Sequence, residues 1–194
     1  AASDVYKRQG TVDCFLDSCG GERVLVSGVQ DPYGEPIDAA YGLLPDGTAV
    51  IEMAAAAGLP LVAGRKNPCV TTTYGVGQLI ADALARGARR IVLGLGGSAT
   101  NDGGCGCAAA LGVRFTDAGG TSFVPVGATL DRIAHIDASA VRERLHGVRM
   151  IAMCDITNPM HGHSGAAHIF APQKGADEAA VRELDRQLRA LDKI

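Results

Sequence analysis

The chain has 194 residues, 47% hydrophobic and 20% charged, enough for one large domain or parts of two around an ordinary buried core. A net charge of -3 argues against a protein that binds nucleic acid by neutralising phosphates, and few aromatics with no Trp argue against stacking platforms for single strands. No apolar run is long enough to span a bilayer and no signal-peptide pattern opens the chain, so neither a membrane nor a nucleic-acid partner is expected.

Residues 1–9 are polar and patternless and read as a non-native or misjoined leader outside the fold. Residues 10–57 form a first region. Val12, Phe15, Leu16 and Cys19 recur at helical spacing, and Gly20-Gly21 stops that helix. Arg23 to Val29 reads as a strand, and Ile37 to Leu44 with Thr48 to Met53 flank Pro45-Asp46-Gly47 as a hairpin. Residues 58–194 form a second, α/β region carrying two glycine-rich loops. Thr71-Thr72-Thr73 supplies a helix cap, Val76, Leu79, Ile80, Ala83 and Leu84 make one apolar helical face, and Gly87 ends it. Arg90 to Gly94 is the next strand. Asp117 to Gly120 is a hairpin tip, Asp137 to Leu145 a short helix, and Val148 to Cys154 another strand. The last helix carries a narrow stripe of Val181, Leu184, Leu188 and Leu191. The fold class is α/β: an antiparallel strand region followed by a mostly parallel, doubly wound region.

The six cysteines, Cys14, Cys19, Cys69, Cys105, Cys107 and Cys154, include no CxxC pair. They sit mostly in apolar stretches, as small buried residues do, and fit a reducing cytoplasm.

The chemistry gathers after the strand at Arg90. Leu95-Gly96-Gly97-Ser98-Ala99-Thr100-Asn101-Asp102-Gly103-Gly104 is a loop of glycines and small polar residues with one carboxylate, followed by a helix. Ligands in open α/β sheets collect at the carboxyl ends of strands, and the N–H groups that open a helix can hold an anion. The loop has neither the Gly-Lys-Ser/Thr ending of a P-loop nor the dinucleotide spacing, so a tight turn that merely solves sterics is the alternative. The strand ending at Cys154 repeats the pattern with Asp155-Ile156-Thr157-Asn158-Pro159. Parallel neighbours would bring Asp102 and Asp155 to one sheet edge, as general base and magnesium ligand for phosphoryl transfer, with Asp155 the metal candidate. Lys174 could neutralise phosphate, and Asn101 and Asn158 could orient hydroxyls or a carboxylate. The alternatives are a turn-capping Asp155 and a solvated Lys174. His161 and His163 alternate, which is weak evidence for a metal, and Glu52 ranks as a pocket residue or a plain hairpin-end carboxylate.

These motifs resemble the bacterial glycerate kinases of the two-domain, D-glycerate-phosphorylating type. The resemblance rests on Ala49 to Ala55, Thr71 to Gly77, Leu93 to Gly104, Cys154 to Pro159 and Pro172 to Ala176, and runs from Gly10 to the C-terminus. It implies an α/β protein of two domains with the site in a cleft, ATP and Mg²⁺ as cofactors, D-glycerate as substrate and 2-phosphoglycerate as the product in many members. Asp102 and Asp155 are the leading catalytic candidates, and Gly96, Gly97, Ser98, Thr100, Asn101, Gly103, Gly104, Asn158 and Lys174 are the candidates to bind substrate or nucleotide. The family's Asp-Ser-Phe-Lys stretch has no counterpart, and Gly10-Thr11 looks like the tail of a further motif. The chain is therefore expected to be a central fragment that lacks parts of its own parent chain and is inactive alone. Val12, Phe15, Leu16, Leu184 and Leu188 are then expected as exposed apolar surface. A kinase of another small hydroxy acid and a non-catalytic anion-binding module are the other readings.

Overall fold

Local signals decide most of the elements, and the computed structural model describes them over residues 10–194; the leader expected at residues 1–9 lies outside the described residues. In chain order they are α1 (Thr11–Cys19), β1 (Glu22–Gln30), β2 (Pro36–Leu43), β3 (Thr48–Glu52), α2 (Ala54–Ala57), α3 (Tyr74–Ala85), β4 (Arg90–Gly94) and α4 (Cys105–Leu111). There follow β5 (Arg114–Thr116), β6 (Ser122–Phe123), β7 (His135–Asp137), α5 (Ser139–Arg144), β8 (Arg149–Met153), α6 (Ala166–Phe170) and α7 (Glu178–Leu191).

One five-stranded sheet, in the order β1-β2-β3-β4-β8, contains both the antiparallel and the parallel strands. β1, β2 and β3 form an antiparallel meander, and β3 is the joint: it pairs parallel with β4, from Thr48 opposite Arg90 to Glu52 opposite Gly94. β4 in turn pairs parallel with β8, from Arg90 opposite Arg149 to Gly94 opposite Met153. Because side chains alternate along a strand, β3 and β4 feed two cores. Ala49, Ile51 and Ile91 pack with Val76, Leu79, Ile80 and Ala83 of α3, whereas Val50 and Val92 pack with Val12 of α1 and Leu44. Helices thus cover both faces. α3 and α4 lie against each other at Gly77, where a Cβ would sit 2.4 Å from the Cys107 carbonyl oxygen.

A second sheet, β6-β5-β7, supports a further core of Phe115, Leu130, Ile133, Ala167, Ala171, Val181, Leu184 and Leu188. This corrects the expectation of exposed faces: Val12, Leu184 and Leu188 are buried, because the small sheet and α1 find partners within the chain itself. The exposed large apolar residues include Met150, Met153 and Ile156, along β8 and just after it. The helix expected from Asp137 starts later. Residues 135–137 pair with β5, and the Asp137 carboxylate takes the N–H (3.0 Å) and hydroxyl (2.6 Å) of Ser139. The cysteines are also less buried than their apolar neighbours suggest: Cys14, Cys19 and Cys154 are exposed, and all six are free thiols. Among the described residues no helix is long and apolar enough to cross a membrane.

Candidate active site

A cavity of about 470 Å³ opens at the carboxyl ends of β4 and β8, with Met53 at the end of β3 also on its wall. Gly96, Gly97, Ser98, Thr100, Asn101, Asp102, Gly103, Gly104, Asp155 and Lys174 all line it. The two strand-end carboxylates therefore share one cavity. Asn158 lies outside the lining; its Nδ2 donates to the Ser164 carbonyl at 2.8 Å. Sequence reasoning missed Thr73 and Gln173, and the apolar wall of Met153, Met160 and Phe170.

Asp102 is 1% exposed and accepts four hydrogen bonds. Oδ2 takes the Thr73 N–H (2.8 Å), the Thr73 hydroxyl (2.8 Å) and the Gly106 N–H (3.2 Å); Oδ1 takes the Gly104 N–H (3.1 Å). The Asp102 carbonyl accepts from Cys105 N–H at 3.0 Å, and the Thr73 hydroxyl accepts from Cys107 N–H at 2.9 Å. The N–H groups that open α4 are thus all taken within the protein. The expectation that this helix start holds a ligand anion is corrected: the Asp102 carboxylate is its anion. Gly103 and Gly104 carry φ of 61° and 78°, which side chains rarely adopt and which turns the chain back onto Asp102. Gly106 is required by space: a Cβ there would lie 2.1 Å from Thr72 Oγ1 and 2.9 Å from Asp102 Oδ2. Burial pushes the Asp102 carboxyl above the usual carboxylate range, against the pull of its four donors. Thr73 does not cap α3 with its own side chain as the threonine run suggested, because its hydroxyl is committed to Asp102. Thr72 Oγ1 takes the Tyr74 N–H instead, at 3.2 Å.

Lys174 ends the short 3-10 turn Pro172–Lys174 and is 7% exposed. Its Nζ donates to Ser98 Oγ at 3.0 Å and to the Thr100 carbonyl at 2.5 Å. Burial brings its pKa down to about 8, while the field of Asp102 works to keep it charged. Beside it, Asn101 is also 7% exposed, and its buried Nδ2 meets no acceptor among the described residues. Cys105 and Cys107 are pushed up to about 12 by burial and by Asp102, so neither thiol is a ready nucleophile.

Other candidates separate from the cavity. His161 Nε2 lies 3.2 Å from Asp192 Oδ2, His163 contacts the His168 ring, and Glu52 Oε1 accepts the Thr11 N–H at 2.8 Å. Among the described residues no three His, Cys, Asp or Glu side chains group to hold a metal. Mg²⁺ needs less than such a cage, since it is commonly held by one or two carboxylates together with substrate phosphates. Asp155, exposed on the cavity wall, fits that part; Asp102, whose oxygens already meet four donors, fits it poorly.

A cavity at the carboxyl ends of parallel strands, lined by a buried ammonium, a carboxylate and, among the described residues, an amide donor without an acceptor, defines the class: an open α/β sheet protein with a strand-end site. The chain belongs to the glycerate kinase family, whose profile matches residues 9–194. It is 49% identical over 182 residues to the glycerate kinase of Halalkalibacterium halodurans, and 46% identical over 183 residues to the glycerate 2-kinase of Escherichia coli. Each alignment covers 93% of this chain and 48% of the relative. A crystal structure assigned to glycerate kinase 2 of Salmonella typhimurium LT2 superposes with a TM-score of 0.89 at 43% identity, covering 93% of this chain and 49% of that one. The chain spans about half the length of the curated relatives it matches.

Proposed function

We propose that the complete protein transfers a phosphoryl group from ATP to a hydroxyl of D-glycerate, giving 2-phosphoglycerate. The observation that carries this is the single cavity in which Lys174, Asn101 and Asp155 meet at the ends of two parallel strands. Phosphoryl transfer asks a protein mainly for positioning and charge neutralisation, and a strand-end loop beside a buried ammonium supports the positioning of an anionic substrate. Asp155 is the carboxylate assigned to the reacting hydroxyl: it takes the proton as the new O–P bond forms and the bond to ADP breaks. Asp102 is assigned a positioning role, holding the loop and the start of α4 in place. Asp155, with the nucleotide's phosphates, would hold Mg²⁺. When bound, Mg²⁺ supplies further neutralisation of phosphate charge.

The test is coupled ADP release by the full-length protein with ATP, Mg²⁺ and D-glycerate, alongside L-glycerate, glycolate and glycerol. Turnover of roughly 1–100 s⁻¹, a range typical of kinases, is expected with D-glycerate, and phosphorus NMR of the product should show the 2-phosphate. Faster turnover of another hydroxy acid would reassign the substrate. Binding of D-glycerate without ADP release would make the protein an anion-binding module.

A further inference from the structure

Two buried groups on the cavity wall have donors to spare. The Lys174 ammonium has three N–H groups, of which two meet the neutral oxygens of Ser98 and Thr100. No carboxylate lies within ion-pair distance of it among the described residues. Asn101, one residue beyond the carbonyl that Lys174 grips, carries a buried Nδ2 with no acceptor among the described residues. Buried polar groups in folded proteins are nearly always paired, so an orphaned donor on a cavity wall points to an acceptor brought by a ligand.

We propose that Lys174 and Asn101, with Ser98 fixing the ammonium, form the seat of the substrate's carboxylate, and that the polyphosphate of the nucleotide lies elsewhere in the cavity. This rests on the kinase reading above and adds which end of the hydroxy acid is recognised, and by what. Charge favours the assignment. Among the described residues Lys174 is the only cation on the cavity wall, and Asp102, in the same loop as Asn101, is a buried carboxylate. One ammonium answers a single carboxylate; it would leave most of a triphosphate's charge unmatched beside Asp102. The N–H groups at the start of α4, which a phosphate would otherwise use, are already bonded within the protein. A carboxylate presents two oxygens, one for the spare ammonium N–H and one for the Asn101 amide.

The experiment is steady-state kinetics of full-length Lys174→Met and Asn101→Asp. The first removes the charge and keeps the buried stem; the second is isosteric and sets a carboxylate against the substrate's own. Loss of a hydrogen bond to a charged group typically weakens binding by about 10–100-fold. The expected result is a KM for D-glycerate raised by that factor in both variants, with KM for ATP within about twofold of wild type. A raised KM for ATP with D-glycerate unaffected would overturn the assignment in favour of phosphate, and unchanged constants for both would overturn it altogether. Thermal unfolding with D-glycerate or glycerol, without ATP, reads the seat independently of turnover. Stabilisation by D-glycerate but not glycerol, lost in Asn101→Asp, supports the seat even if the wild type releases no ADP and the kinase reading falls. Equal stabilisation of wild type and variant by D-glycerate would overturn the seat while leaving the kinase reading to its own assay.

Discussion

Replacing Thr73 with Val keeps the side chain's size and deletes one oxygen, and that oxygen serves two partners. It donates to the buried Asp102 carboxylate at 2.8 Å and accepts the Cys107 N–H at 2.9 Å. A hydrogen bond to a charged group contributes about 1.5–3 kcal/mol, and leaving a buried N–H unsatisfied costs about 1–3 kcal/mol. Cys107 is only half-buried, so the second figure belongs at its low end. The variant should therefore lose about 3 kcal/mol, a large part of the 5–15 kcal/mol typical of a folded domain. Thr73→Ser retains both bonds and should stay within about 1 kcal/mol of wild type. Urea unfolding followed by far-ultraviolet circular dichroism measures both. If Thr73→Val loses less than about 1 kcal/mol, the clamp between Thr73, Asp102 and α4 contributes little, and the assignment of Asp102 to positioning fails with it.

Gly106→Ala should lower the melting temperature sharply, since its Cβ would enter the space of Thr72 Oγ1 at 2.1 Å; Gly119→Ala, whose nearest neighbour is a side-chain oxygen 3.4 Å away, is the matched control and should be near neutral. Asp155→Asn should lower kcat by about 10²–10⁴-fold; a variant with normal ADP release would remove Asp155 from the chemistry. Lys174 makes stability depend on alkali: its pKa of about 8 lies below the 10.5 of an ordinary lysine, so between those values the unfolded chain binds more protons than the folded one. Stability relative to Lys174→Met should therefore rise as pH goes from about 8 to about 10.5, by roughly 3 kcal/mol at most, and be flat below pH 7. A difference between the two proteins that does not change between pH 7 and pH 10 would count against the buried ammonium.

The elements with local causes were legible. The apolar face from Val76 to Leu84 predicts α3, the Pro45-Asp46-Gly47 turn predicts the β2–β3 hairpin, and the apolar run after Arg90 predicts β4. The loop's place at the carboxyl end of a strand was legible for the same reason. What escaped were pairings across long separations. Thr73 is committed to Asp102 from 29 positions away, and nothing in a Thr-Thr-Thr run distinguishes a helix cap from a carboxylate clamp. The α7 stripe looked unpartnered because its partners, Phe115 and Leu130 among them, lie in short elements with weak periodicity. Lys174 read equally well as surface or site; only its burial under Ser98 and Thr100 decides between them.

The order of strands also sets an order in time. β1, β2 and β3 are sequence neighbours joined by short turns, so their seams can close early at little entropic cost. The seam between β3 and β4 waits for the crossover that holds α3, and the seam between β4 and β8 waits for everything from Leu95 to Val148. Such long closures are slow. The cavity straddles that last seam and takes Lys174 from still further along the chain. A nascent or truncated polypeptide can therefore hold a well-formed meander and still have no binding site. Ligand, in turn, can stabilise only molecules that have finished folding, so a small acid that fits the cavity would act as a reporter of completed assembly during synthesis and refolding.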